Sequence, residues 1–68
     1  MNKFAERLAT LRAEQNMSRA TLAKQLGVSV RLISYWERAE RECDFDTLLA
    51  LAELFDVSLD YLLGKTDY

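Results

Sequence analysis

Ser18-Arg19-Ala20-Thr21-Leu22-Ala23-Lys24-Gln25-Leu26-Gly27-Val28-Ser29-Val30-Arg31-Leu32-Ile33-Ser34-Tyr35-Trp36-Glu37 reads as two short helices parted by one tight turn. Ser18 is suited to an N-cap, because its hydroxyl can accept from an orphan backbone N–H. Leu22, Ala23 and Leu26 then fall on one helical face. Gly27 follows at the position where a positive φ is cheapest. Ser29 caps a second helix whose Ile33 and Trp36, three apart, face inward. Two helices joined by a short Gly-containing turn form the unit that sets its second helix into a DNA major groove.

Outward from this core, the pattern stays helical. A first helix is expected from Asn2 or Lys3, with Phe4, Leu8 and Leu11 as its apolar stripe and Glu14-Gln15-Asn16 as its close. Asn16 can take a left-handed turn, and Met17 can pack on Leu22 just ahead of the Ser18 cap. A polar connector, Arg38 to Cys43, leads to Asp44, which caps a fourth helix. Phe45, Leu48, Leu51, Ala52 and Phe55 are read as its inner face, with Leu49 and Leu54 off that face. Asp56-Val57 turns the chain, Ser58 caps a fifth helix from Leu59 to Leu63, and Gly64 ends it. Lys65 to Tyr68 is read as a frayed tail. The expectation is a single all-α domain over residues 1–68, with an ordered core from about 3 to 64.

Composition narrows the chemistry. Half of the 68 residues are hydrophobic, which argues against disorder; there is no Pro, and Gly27 and Gly64 are the only glycines. With no His and one cysteine, Cys43, neither a Cys/His metal site nor an internal disulfide is available. No nucleophile–base pair, carboxylate cleft or Gly-rich phosphate loop is visible, so no enzyme and no cofactor is expected. No apolar run reaches membrane length and no signal peptide is visible, so the expected location is cytoplasmic. The net charge of −2 is unevenly spread. Residues 1–42 hold eight Lys/Arg and five Glu, a net of +3, while residues 43–68 hold Lys65 against six acids, a net of −5. Such polarity can turn a basic face toward phosphates, although ordinary solvated charge explains it equally well.

Ser18, Leu22-Ala23, Gly27-Val28-Ser29, Ile33-Ser34, Trp36-Glu37, Thr47-Leu48, Leu51-Ala52, Phe55 and Val57-Ser58-Leu59-Asp60-Tyr61-Leu62-Leu63-Gly64 together resemble the phage-repressor/Cro-like (Xre) helix-turn-helix family. The resemblance runs from about Phe4 to Gly64. It implies a five-helix, lambda-repressor-like domain with the helix-turn-helix at helices two and three. It also implies a transcription regulator, with a repressor binding an inverted-repeat operator as the leading form. The chain departs from the family pattern at Arg19, where Gln is usual, at Ala39, where Gly is usual, and at Cys43, where Pro is usual. With both breakers missing, the recognition helix is expected to run a turn further, to Arg41.

The face of that helix opposite Ile33 and Trp36 supplies the candidate base contacts, Val30, Arg31, Ser34 and Tyr35. Arg31 can pair bidentately with guanine, Val30 suits a thymine methyl, Ser34 allows close approach, and Tyr35 offers a hydroxyl. Candidate phosphate contacts are Ser18, Arg19, Ser29, Arg38 and Arg41, with the N-terminus of the Ser18 helix adding free N–H groups. Each arginine has a plainer alternative as a surface residue paired with Glu. Glu37 is assigned a structural partner on an earlier helix, such as Arg12. Cys43 is read as a small filler, with an intermolecular disulfide as the alternative.

One recognition helix touches few base pairs, so a homodimer with helices about 34 Å apart is expected. Leu49, Leu54, Tyr61 and Leu62 are its candidate interface, although the same residues could instead complete the monomer core. A protein antirepressor or toxin is an alternative partner, and a protein-interaction module that no longer binds DNA is an alternative function. No small-molecule ligand is expected.

Overall fold

Four hydroxyl or carboxylate side chains set the starts of four helices. The computed structural model describes residues 3–67. Ser18 Oγ accepts from Thr21 N, Ser29 Oγ from Leu32 N, Asp44 Oδ2 from Thr47 N and Ser58 Oγ from Tyr61 N, each at 3.0 to 3.2 Å. These bonds satisfy donors that the helix cannot. The helices are α1 Phe4–Glu14, α2 Arg19–Leu26, α3 Val30–Glu37, α4 Phe45–Phe55 and α5 Leu59–Leu63. No strand occurs among the described residues, and the all-α five-helix expectation holds. Lys3, without a side-chain cap bond, precedes α1. Asn2, the alternative start of that helix, and Tyr68 of the tail lie outside the described residues.

The helix ends share one device. Met17 N donates to Arg12 O, Val28 N to Ala23 O, Glu40 N to Tyr35 O, Val57 N to Ala52 O and Lys65 N to Asp60 O, all between 2.7 and 3.0 Å. Each bond closes over a residue with positive φ, respectively Asn16, Gly27, Ala39, Asp56 and Gly64. This six-to-one closure consumes carbonyls that would otherwise be orphaned. It also corrects the expected length of the recognition helix. Ala39 adopts φ 59° despite its Cβ, and α3 stops at Glu37 instead of continuing to Arg41. The two closing hydrogen bonds, from Ala39 N to Trp36 O and from Glu40 N to Tyr35 O, outweigh a strain of about 1 kcal/mol.

Phe4, Leu8, Leu11, Leu22, Ile33, Trp36, Leu48, Leu51, Phe55 and Leu62 form one buried cluster. α1 packs on α3 and α5, α2 on α3 and α4, and α4 on α5. The Phe4 and Trp36 rings meet edge to face at 6.4 Å. Two expectations for α4 and α5 are overturned here. Phe45, read as an inner residue, is 83% exposed. Taking 100° per residue, it lies about 70° from the centre of the arc made by Leu48, Leu51, Ala52 and Phe55, and on the first turn. Leu62, read as a dimer contact, has no exposed surface: α5 is wedged against α1 and α4, so this side chain belongs to the core.

The tail is also held more firmly than expected. Lys65 N and Thr66 N both donate to Asp60 O, and the Arg7 guanidinium donates to Thr66 O and to Asp67 Oδ1. The same guanidinium lies 4.2 Å from the Tyr61 ring centroid. Lys3 N donates to Leu63 O at 3.1 Å, so the two ends of the described chain are tied side by side.

Candidate nucleic-acid interface

The turn between α2 and α3 takes two residues, Gly27 and Val28, before the Ser29 cap. Gly27 sits at φ 72° with open space where a Cβ would stand, so its conformation rather than crowding calls for glycine there. From this turn α3 presents two arcs. Leu32, Ile33 and Trp36 point inward over about 100°, and Ile33 and Trp36 are fully or almost fully buried. Val30, Ser34, Arg38, Arg31 and Tyr35 span about 140° on the other side. The indole Nε1 of Trp36 finds no acceptor among the described residues, and the ring fills space as a wedge.

Within the outer arc the candidate residues differ. Val30 is 45% exposed, Arg31 is exposed, and Ser34 and Tyr35 are half-buried. Arg31 makes no ion pair or hydrogen bond among the described residues, so its five donors are open. Tyr35 is engaged by cations that the sequence could not place. The Arg38 and Arg41 guanidinium carbons lie 5.8 and 5.0 Å from its ring centroid. The ring is thus a seat for two arginines as well as a carrier of one hydroxyl. Arg38 also approaches Glu40 at 3.3 Å, an exposed pair of little energetic weight.

The start of α2 and the end of α3 meet at Glu37. Its carboxylate is only 4% exposed and takes Arg12 Nε at 2.6 Å, Arg12 Nη2 at 3.2 Å and Arg19 Nε at 3.1 Å. Arg12 Nη1 donates further to Met17 O, closing the α1–α2 turn. Arg12 is therefore the partner of Glu37, and Arg19, read only as a phosphate contact, is a second one. Ser18 and Ser29 are both exposed caps; the Ser18 hydroxyl also donates to Thr21 Oγ1.

The pairing candidates fall on two sides of α4. Leu49 and Leu54 are 51% and 39% exposed and about 140° apart, and Phe45 shares the side of Leu49. Tyr61 is half-buried beneath Arg7. Hydrogen bonding to Tyr61 and then to Asp67 raises the Arg7 pKa above its usual value. Burial, with Asp44 nearby, pushes the Cys43 thiol up to about 12, which disfavours the thiolate needed for disulfide exchange. No group of three or more metal-ligating side chains occurs among the described residues, and no helix is long and apolar enough to cross a membrane.

A five-helix unit that turns an unpaired arginine outward from the second helix of a capped helix-turn-helix is a DNA-binding domain in architecture. Residues 8–62 match the Helix-turn-helix family HTH_3. Repressor protein C2 of Salmonella phage P22 is 43% identical over 60 residues, which are 88% of this chain and 28% of that protein. The HTH-type transcriptional regulator ImmR of Bacillus subtilis is 39% identical over 94% of this chain and 50% of its own length. Among solved structures, the P22 c2 repressor in complex with synthetic operator 9T superposes with a TM-score of 0.85 at 40% identity, covering 93% of this chain and 96% of that one. A transcriptional regulator from Listeria innocua gives 0.88 at 32% identity, over 93% of this chain and 59% of that one. The chain belongs to the helix-turn-helix family of phage-repressor-like transcriptional regulators, whose named members here are regulators and not enzymes. It spans about half the length of the first curated relatives it matches.

Proposed function

We propose that this domain binds double-stranded DNA as a transcriptional regulator of repressor type, with the outer arc of α3 in the major groove. The observation that carries the reading is Arg31, exposed and without a partner among the described residues, at the second residue of α3. Its guanidinium pairs with guanine O6 and N7 in this reading, with Val30, Ser34 and Tyr35 as the further base contacts. Ser18, Arg19, Ser29, Arg38 and Arg41 flank this arc as phosphate contacts. The P22 c2 repressor, which shares the fold, is solved on its operator, and that supports the same use here.

The domain acts as a homodimer on an inverted repeat, because a single α3 discriminates too few base pairs. Leu49, Leu54 and Tyr61 remain the pairing candidates, and Phe45 joins them as the most exposed of the large apolar side chains. A cytoplasmic location follows from a DNA target. The test is binding to DNA selected from a random pool, measured from low to high salt. Sequence-dependent binding that weakens steeply with salt supports the reading; no salt-dependent binding at all rejects it.

A second reading, a regulator held by a protein antirepressor or toxin, draws on one feature. A groove of about 420 Å³ beside the end of α3 is lined by Phe4, Trp36, Ala39, Cys43, Phe45 and Leu48 among others. A partner seated there would meet the turn that ends the recognition helix.

A further inference from the structure

We infer that the groove between the end of α3 and the start of α4 is the seat of a basic, amphipathic segment of a partner protein, which plants an apolar side chain against Phe45 and sets Lys or Arg on the acidic margin. The inference rests on the second reading above and names the chemistry of its partner; it does not depend on α3 entering DNA. Residues of α1, α3, α4 and α5 and of the connector after α3 line the groove. Phe4, Trp36 and Leu48 contribute buried apolar surface to it. Phe45 lines the same groove at 83% exposure, so a free aromatic ring stands beside an apolar bed. Exposed apolar surface beside polar groups, with a ring to anchor on, is what a protein partner uses.

Charge selects the partner. Residues 38–46 hold Arg38 and Arg41 against Glu40, Glu42, Asp44 and Asp46. Both guanidinium groups are drawn to the Tyr35 ring, at 5.8 and 5.0 Å, and Tyr35 is not a groove residue. Glu40 and Glu42 both line the groove. Glu40 has Arg38 at 3.3 Å, whereas Glu42 makes no ion pair or hydrogen bond among the described residues. Asp44 and Asp46 flank Phe45 in the chain. Asp44 is occupied in capping α4, and the Asp46 carboxylate has no partner among the described residues. An apolar bed with unpaired carboxylates at its margin matches a segment that carries Lys or Arg beside its anchor. A second copy of this domain matches it poorly. A two-fold contact through this face would bring one acidic margin against the other. Phe45, counted above among the pairing candidates, is thereby better used by a basic partner.

The seat also bears on the recognition helix. Trp36 and Ala39, both groove residues, form one of the hydrogen bonds that close α3. Arg31 is not a groove residue, so a partner can act on the end of α3 while leaving its base-reading arc uncovered.

The test is selection of binders from displayed random peptides, with the domain as bait and no DNA present. Enriched peptides should carry an aromatic or aliphatic anchor next to Lys or Arg, and bind more weakly as salt rises. Phe45→Ser should weaken the best of them at least about tenfold, with an unchanged thermal melt because the ring is exposed. The double variant Glu42→Gln, Asp46→Asn should weaken it severalfold and flatten its salt dependence. Glu53→Gln, toward the other end of α4, should leave it unchanged. Trp36 is the chain's one tryptophan, and its indole N–H resonance should move when the peptide is added.

Peptides with acidic residues beside the anchor, still lost in Phe45→Ser, would keep the groove as a partner's seat and overturn its chemistry. Peptides that bind Phe45→Ser as well as wild type, or no enrichment at all, would overturn the seat itself. A Trp36 resonance that moves with protein concentration alone, and not in Phe45→Ser, would assign the groove to a second copy. None of these outcomes touches the DNA-binding reading, which stands or falls on the selected DNA.

Discussion

Arg12 Nε stands 2.6 Å from Glu37 Oε2, so the last turn of α1 is fastened to the last residue of α3 by a nearly buried ion pair. Removing one partner of such a pair strands the other charge. Arg19 would still face Glu37, and Arg12 is partly exposed, so the cost is below that of a lone buried pair. Arg12→Met should lower stability by about 2–3 kcal/mol in urea unfolding, without changing the slope of the transition. A loss under about 0.5 kcal/mol would class the pair with ordinary surface bridges.

Ala39 and Gly27 make a matched pair of tests. Both have positive φ, but only Gly27 has the residue type for it. Ala39→Gly should raise stability by about 0.5–1 kcal/mol by relieving the left-handed strain, net of the extra freedom of the unfolded chain. Gly27→Ala should cost about 1 kcal/mol, from conformation alone, since open space surrounds its Cβ position. Thermal melts of the two variants should shift in opposite directions.

Leu62 and Leu49 separate core from surface. Leu62→Ala should cost about 2–5 kcal/mol, because the side chain has no exposed surface. Leu49→Asp should change stability by less than about 1 kcal/mol and leave the helical spectrum intact, because half of the side chain is exposed. Sedimentation of Leu49→Asp then bears on the pairing surface: a shift from dimer to monomer supports the α4 side, and an unchanged dimer moves the contact elsewhere.

Cys43 gives a pH prediction with a definite sign. Its thiol pKa is pushed up to about 12 by burial, above the ordinary value. A group that is neutral at neutral pH and raised in the folded state contributes its full stability below the unfolded pKa. That contribution is lost as pH rises through about 9 toward 12. Alkylation at pH 8 should therefore be far slower in the folded domain than in urea. Equal rates would show that the thiol is not shielded. Asp44 has the opposite sign: its hydrogen bonds to the Thr47 side chain and backbone lower its pKa, so its support for α4 fades on acidification.

What could be read in the sequence was local. Ser18, Ser29, Asp44 and Ser58 are caps because a short acceptor precedes an apolar repeat, and that logic needs no tertiary information. Asn16 is left-handed for a similar local reason. Sequence alone misplaces Phe45 and Ala39 and leaves Leu62 open between pairing surface and core, because at each a neighbour decides. Burial of Leu62 depends on α5 lying between α1 and α4, and exposure of Phe45 on the first turn of α4 extending past the core. Ala39 bends because the closing bonds to α3 are worth more than its strain. In the candidate site, the outer arc of α3 follows from helical periodicity once Ile33 and Trp36 are taken as core. The Arg38–Tyr35–Arg41 seat and the Arg19–Glu37 bond do not, since they depend on side-chain rotamers and on the fold of the connector after α3.

The most direct measurement of the central claim is selection of bound sequences from random double-stranded DNA, run in parallel with the wild-type domain and Arg31→Ala. The account predicts that wild type returns a two-fold symmetric motif. The variant should lose preference at one symmetric pair of positions, worth about 1–3 kcal/mol each, and keep its non-specific binding. A variant that returns the same motif as wild type, or loses affinity equally on every sequence, would contradict the assignment of α3 and its Arg31 as the reader of bases.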